Sequence, residues 1–315
     1  MGNIPKLFKI LILSLIIETL IISNASAISL SKGFGGSNAL VFLNNGMGAR
    51  PIGMGNAFVG IADDINAIYW NPSGLTQLKN VEFSAMHSSL FSDIVKYDML
   101  SLAFPFKNGL TMGAGLFSLN IDNIRYSYVD SLGNPVPTET YFKDSENALF
   151  LSVAKSVNAK LSVGGNIKII YHSLYNYSAF GAGGDLAFLY RPSKNLKIGF
   201  NAQNIFFTGL QFRSGGAKNI AYPSLNLGIS YVLRDKVRTA VCVEKNLYTN
   251  LFKYSLGIEL DLMRYLSVRT GLEMGRLNGG VTFKLFKYQL DYSYSHAFSE
   301  INLGNSHRLS MIVRF

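Results

Sequence analysis

From residue 81 onward, apolar and polar residues alternate along the chain with a period of two. A β-strand points successive side chains to opposite faces, so a wall between lipid and water reads apolar on one face and polar on the other. In residues 224–234, Leu225, Leu227, Ile229, Tyr231 and Leu233 take one face; Asn226, Gly228, Ser230 and Arg234 take the other. Residues 253–261 repeat this, with Tyr254, Leu256, Ile258 and Leu260 set against Ser255, Gly257, Glu259 and Asp261. Such segments predict strands at 81–90, 96–106, 109–119, 146–156, 160–172, 180–191 and 195–204. Seven more follow at 223–234, 236–245, 252–262, 264–274, 277–286, 287–296 and 304–315. Fourteen is an even number, as single-chain bacterial barrels have, and most segments are about as long as a tilted strand crossing a bilayer. The links after the even-numbered strands are tight. Those after the third, fifth, seventh and thirteenth are longer, the extreme being residues 120–145. Short periplasmic turns and long external loops make that pattern. The link around Gly275 and Arg276 is shorter than this scheme expects.

Periodicity alone does not say which face meets lipid, because soluble sandwiches and lipocalin-like barrels also alternate, with the apolar face inside. Composition decides for lipid. Of the 315 residues, 48% are hydrophobic, 13% aromatic and only 15% charged, too few charges to coat a soluble domain of this size. After residue 27 no run of about 18 apolar residues provides a spanning helix. A closed barrel is then the remaining way through a bilayer. Residues 1–27 have the grammar of an export signal: Lys6 and Lys9, an apolar stretch over 10–22 interrupted by Glu18, then Ala25-Ser26-Ala27 as a cleavage site. The expectation is a secreted barrel in the outer membrane of a double-membraned bacterium. The net charge is +10, falling to +9 once two lysines and one glutamate leave with the signal. The basic residues are scattered rather than clustered, which argues against nucleic acid and for outer-membrane lipid or an acidic partner. Cys242 is the only cysteine, so no internal disulfide forms. In the last strand Leu309, Met311, Val313 and Phe315 share a face. A final strand ending in an aromatic residue resembles the signal that hands such proteins to the barrel assembly machinery.

Residues 28–80 follow different rules. The stretch 48–75 reads GARPIGMGNAFVGIADDINAIYWNPSGL, and the alternation is lost. Its glycines permit tight backbone turns. Residues 57–62 are long enough for one or two helical turns, and Asn71-Pro72-Ser73-Gly74 is a turn by composition. A segment of this length before a barrel has its natural place in the lumen, as a plug. Gly48, Ala49, Arg50, Gly53, Met54, Gly55, Ala57, Phe58, Ala62, Asp63 and Asp64 form one block. Tyr69, Trp70, Asn71, Pro72, Gly74 and Leu75 form a second. Together they resemble the PorV/PorQ family of outer-membrane proteins, which is similar to the FadL-type long-chain fatty-acid transporters. The family more often has Ala where this chain has Ser73. The close match covers about 30 residues. The resemblance implies a 14-stranded antiparallel transmembrane β-barrel (an all-β fold) with the N-terminal segment folded into the lumen. It also implies a substrate that is a hydrophobic small molecule or a secreted protein. Met54, Phe58, Val59, Ile61, Tyr69 and Trp70 would make the lumen partly apolar, and as plug residues they are expected mainly to pack.

Catalytic chemistry is not legible. The four histidines, His87, His172, His296 and His307, have no Cys, His or acidic partner at metal-ligand spacing along the chain. No G-x-S-x-G occurs, and Gly53-Met54-Gly55 lacks both the third glycine and the preceding strand of a dinucleotide loop. No cofactor, metal or catalytic residue is expected. Asp63 and Asp64 are adjacent and expected to be paired with plug backbone or with lumen Arg and Lys. Thirteen ionisable residues face inward by alternation: Glu82, Lys168, Asp185, Arg238, Glu244, Glu259, Asp261, Arg269, Glu273, Lys284, Asp291, Arg308 and Arg314. Both signs in one lumen point to cross-barrel pairing that holds the plug, not to an ion-selective ring. Two roles follow: uptake of a fatty-acid-like molecule, or binding of cargo C-terminal signals in a type IX secretion system, with residues 120–145 and 205–222 holding the partner. A plug argues against a non-specific porin.

Overall fold

The computed structural model describes residues 39–90, 94–212, 219–298 and 305–315; the expected export signal and residues 28–38 lie outside them. The alternating segments form fourteen strands among the described residues. β1 (Glu82–Leu90), β2 (Val95–Pro105), β3 (Leu110–Val129), β4 (Pro135–Ser156), β5 (Leu161–Leu174), β6 (Tyr177–Tyr190) and β7 (Leu196–Phe207) make one half of the wall. The other half is β8 (Ser224–Leu233), β9 (Val237–Asn246), β10 (Phe252–Met263), β11 (Leu266–Glu273), β12 (Arg276–Leu285), β13 (Tyr288–Ala297) and β14 (Ser306–Arg314). Each strand pairs antiparallel with the next. β1 pairs with β14 from Glu82↔Arg314 to Ser89↔His307, so the sheet closes and leaves no free edge.

The wall is apolar outside. Leu100, Met112, Leu116, Ile167, Ile169, Leu227, Ile229, Leu290 and Leu309 all point outward and are exposed. A continuous exposed belt of such residues is not a surface that water tolerates. No helix among the described residues is long and apolar enough to cross a membrane.

The links differ from the expectation in two places. Residues 120–145 are not a loop: β3 and β4 continue through them as a hairpin, paired at Ile124↔Phe142 and Tyr128↔Val136. At its tip, the Asp130 carboxylate accepts hydrogen bonds from the backbone N–H groups of Leu132 and Asn134 at 2.8 and 2.9 Å, and these hold it below the usual carboxylate range. This extension escapes a period-two search because residues 125–129 are exposed regardless of which way they point. The link between β5 and β6 is also tight, only Tyr175 and Asn176, with Tyr175 in the left-handed region at φ 54°. Since pairs from Leu110↔Lys155 to Ile121↔Asp144 already complete the wall, replacing residues 124–142 with a short turn should leave a barrel. Its unheated electrophoretic mobility should change only as its mass does; a loss of the heat-modifiable form would refute this division of the hairpin.

The lumen has two chemically different sides. On β8–β14 the inward residues are mostly polar, among them Asn226, Ser230, Glu259, Arg269, Asn278 and Asp291, all buried, with Ala240, Cys242 and Ile312 as apolar exceptions. On β2–β6 many inward residues towards the loop end are apolar instead: Tyr97, Met99, Phe117, Leu119, Phe150 and Ile170 are buried there. Polar-in alternation therefore describes one side of the barrel only.

Candidate functional site: the lumen segment

Residues 39–80 run through the lumen from one end of the barrel to the other. At the loop end, the Ala39 N–H donates to the Ile220 carbonyl at 3.0 Å. Short helical turns follow at Val41–Asn45, Ala49–Gly53 and Ala67–Trp70, then a 3₁₀ helix at Pro72–Gln77 leads into β1. Residues 57–62, long enough for one or two helical turns, form successive turns, with the Ala62 N–H donating to the Phe58 carbonyl at 2.9 Å. Asn56 and Ala62 at its two ends have φ of 66° and 33°, which a continuous right-handed helix does not contain.

Close approach to the wall dictates that shape. Gly60 lies against Gly228 so tightly that a Cβ on Gly60 would sit 2.8 Å from the Gly228 carbonyl oxygen. Gly55 lies on β10 and β11; its Cβ would be 2.6 Å from the Leu272 nitrogen. The wall side is equally bare: a Cβ on Gly271 would meet the Met54 carbonyl carbon at 2.1 Å. Gly53 abuts the aliphatic part of Arg269 in the same way, at 2.8 Å. Backbone thus packs on backbone, and any side chain at these seats would push the segment off the wall.

Arg50 is the electrostatic centre. Its Nε and Nη2 donate to the two Glu259 oxygens at 2.9 Å each, and its Nη1 donates to Asp63 at 2.6 Å and to Asp64 at 2.7 Å. Glu259 also accepts from Arg238 at 3.0 Å, and Arg269 lies 3.3 Å from Glu259 and 3.2 Å from Asp291. Asp63 and Asp64 converge because one guanidinium edge fits between them; planar, forked donors suit that geometry. Burial raises the Asp63 pKa, but Arg50 and Lys197 outweigh it and hold the carboxyl below the usual range. Burial wins at Asp64, whose pKa is raised despite Arg50. Asp64 also accepts from the Asn66 backbone and side-chain N–H groups at 2.9 and 2.8 Å.

The remaining motif residues pack and pin. Met54 and Phe58 are fully buried, with the Arg50 guanidinium 5.2 Å from the Phe58 ring centre. Tyr69 Oη donates to the Leu43 carbonyl at 2.6 Å, and Trp70 Nε1 to the Met47 carbonyl at 2.8 Å, tying the first turns to the later helix. Tyr69 also meets Phe117 and Phe150 with ring centres 6.4 Å from each. Asn71 Nδ2 donates to Val59 at 2.8 Å, and a Cβ on Gly74 would strike the Ala62 carbonyl oxygen at 2.2 Å. Pro72 opens the 3₁₀ helix, where its missing N–H costs nothing. A cavity of about 40 Å³ beside Asn44, Asn56, Tyr69, Trp70, Glu244 and Glu273 has room for a few waters.

Sequence spacing did not reveal two sets of partners. Glu259, Arg269 and Asp291 were placed facing inward by alternation, but which of them would meet Arg50 depends on long-range register. His172 has no ligand-like neighbour along the chain, yet β4 and β5 pair Glu146 opposite His172, with Asp144 two residues along the same face. One ligand atom from each of these three side chains lies within 4.8 Å of the other two. The available signal was that all three sit on inward positions of neighbouring strands.

No protein-family model matches the chain, and no curated protein does. Solved structures do. The Ralstonia pickettii toluene transporter TbuX superimposes with a TM-score of 0.65 at 15% identity, over 87% of this chain and 100% of that one. The CymD monoaromatic hydrocarbon channel gives 0.63 at 17% identity, over 86% and 98%. A Pseudomonas aeruginosa FadL homologue gives 0.54 at 10% identity, over 84% and 97%. At these identities the likeness is one of fold: the chain is a closed fourteen-stranded antiparallel barrel built like these channels.

Proposed function

We propose that this protein resides in the outer membrane and passes a hydrophobic small molecule through its barrel. The observation that carries this is the apolar side of the lumen, where Tyr97, Met99, Phe117, Phe150 and Ile170 line β2–β5 beneath Met47 and Tyr69. A channel for sugars or ions would keep those inward positions polar. Neighbours of the same fold are a toluene transporter and a monoaromatic hydrocarbon channel, which supports an apolar cargo of that size or a longer acyl chain. The exposed Phe315 ring, at the turn end of the last strand, is suited to recognition by the barrel assembly machinery.

Because Arg50 clamps the segment and the cavity beside it holds only water-sized molecules, transit needs either a shift of the segment or an opening in the wall. The β6–β7 hydrogen-bond ladder is interrupted at one place where that opening would fit. Between β6 and β7 the register jumps from Gly184↔Phe206 to Leu186↔Ala202, leaving Gln203, Asn204 and Ile205 out of that ladder. Asp185 fills the break, accepting from the Asn204 N–H at 2.9 Å and pairing with Lys168 at 2.6 Å.

In cells carrying the full chain, labelled toluene and a long-chain fatty acid should enter faster than in cells without it, while a disaccharide should not. Phe117→Asp should cut that uptake about tenfold, because it sets an unpaired carboxylate between Met99 and Ala148 on the apolar side, with heat-modifiable mobility retained. Equal uptake with and without the protein would reject the proposal. A role in type IX secretion, implied by the PorV/PorQ resemblance, would use the projecting β3–β4 hairpin. It predicts instead that removing residues 120–145 abolishes capture of a secreted protein while leaving toluene uptake untouched.

A further inference from the structure

We propose that Asp144, Glu146 and His172 bind a divalent first-row transition ion at the loop end of the lumen. Asp144 and Glu146 alternate onto the inner face of β4, and His172 stands opposite Glu146 on β5. The site is thus fixed by two adjacent strands of a closed wall rather than by a loop. His172 Nε2 is 2.8 Å from Asp144 Oδ1, and the two side chains are only 16% and 20% exposed. The Phe212 ring packs edge-on against the imidazole, with ring centres 5.1 Å apart. Glu146 makes no hydrogen bond or ion pair to any described residue, although its carboxylate belongs to the same cluster. The next inward cation on β5, Lys168, is already engaged by Asp185 at 2.6 Å. Among the described residues, two half-buried carboxylates thus share one imidazole and no dedicated cation.

The donor set chooses the ion. Calcium and magnesium take oxygen ligands, whereas a neutral imidazole with two carboxylates suits zinc and its first-row neighbours. Metal–ligand bonds of about 2.0–2.2 Å at tetrahedral angles put donor atoms about 3.3–3.6 Å apart. The present span, from a 2.8 Å contact to a 4.8 Å limit, brackets that value. Side-chain rotation alone closes the difference: Asp144 moves off His172 and Glu146 swings in. Three protein ligands leave a fourth position open towards the mouth, available to water or to an anionic ligand. A bound ion would cross-link β4 to β5 and, through Phe212, steady the link between β7 and β8. None of this depends on what the barrel transports.

The test uses the full-length protein in detergent, without a polyhistidine tag, stripped with chelator and titrated with Zn²⁺ by calorimetry. One ion per chain should bind with micromolar or tighter affinity. H172A and E146Q should each weaken binding by about tenfold or more while keeping heat-modifiable mobility. H87A, which removes an exposed histidine paired with Asp98 at 2.6 Å, should leave binding unchanged. Millimolar Ca²⁺ should not displace the zinc. Absence of saturable Zn²⁺ binding, binding that survives H172A, or displacement by Ca²⁺ would each overturn the proposal; the first result would leave Asp144 and His172 as a hydrogen-bonded pair with Glu146 beside it.

Discussion

Arg50→Ala is expected to unseat the lumen segment and convert a closed barrel into an ion-conducting one. The guanidinium is the only group that joins Asp63, Asp64 and Glu259 in the described structure, through four hydrogen bonds of 2.6–2.9 Å. Removing one partner of a buried ion cluster costs about 3–5 kcal/mol, because the charges left behind stay desolvated. Glu259 keeps Arg238 and Arg269, but Asp63 keeps only Lys197, at 3.9 Å, and Asp64 keeps the Asn66 amides. The cheapest relief is for the segment to leave the wall and let its carboxylates meet water. The loss should appear as steady conductance in planar bilayers and as sensitivity of cells to antibiotics too large for the intact outer membrane. Arg50→Lys should fall between, since an ammonium cannot fork towards Glu259 and the aspartates together. Wild-type conductance in Arg50→Ala would show that packing, not the ion cluster, holds the segment.

Gly271→Val tests the packing directly and should have the second-largest effect. Its Cβ would overlap the Met54 carbonyl carbon at 2.1 Å and the Gly55 nitrogen at 2.2 Å, both backbone atoms without rotamers to yield. Overpacking a dense interior costs about 1–3 kcal/mol when side chains adjust, and more when backbone must move. Since β11 keeps its ladder on both sides, the strain should fall on the lumen segment. The barrel should still assemble, but residues 39–80 should become cleavable by added protease in the folded protein. Gly279→Ala is the control, because its added Cβ meets nothing nearer than the Arg269 carbonyl oxygen at 3.9 Å. Protection of the segment in Gly271→Val equal to that in Gly279→Ala would contradict the close-packed seat.

Strand identity was legible because a barrel wall imposes its period on every residue it contains. Where both faces of a strand meet the same medium, the signal fails. The outer part of the β3–β4 hairpin stands in water on both sides, so residues 120–145 looked like a loop. On β2–β5 the opposite happens: outward Leu100, Met112 and Ile167 and inward Met99, Phe117 and Ile170 are all apolar. Alternation there could be recognised only in part, and the share of the wall strands in a partly apolar lumen was not foreseen. At 57–62 the turns stay short and do not join into a helix, since the close backbone contact of Gly60 with Gly228 outweighs a weak local propensity.

Sequence by itself determined the number of strands and their order around the barrel. These follow from local periodicity and from short links, which force neighbours in the chain to be neighbours in the sheet. Tertiary structure decided which inward charges meet Arg50, which wall glycines seat the segment, and that Asp144, Glu146 and His172 share one spot. Those facts depend on strand register and on where a folded segment comes to rest. Register is a sum over many weak cross-strand pairings, and no single residue carries it.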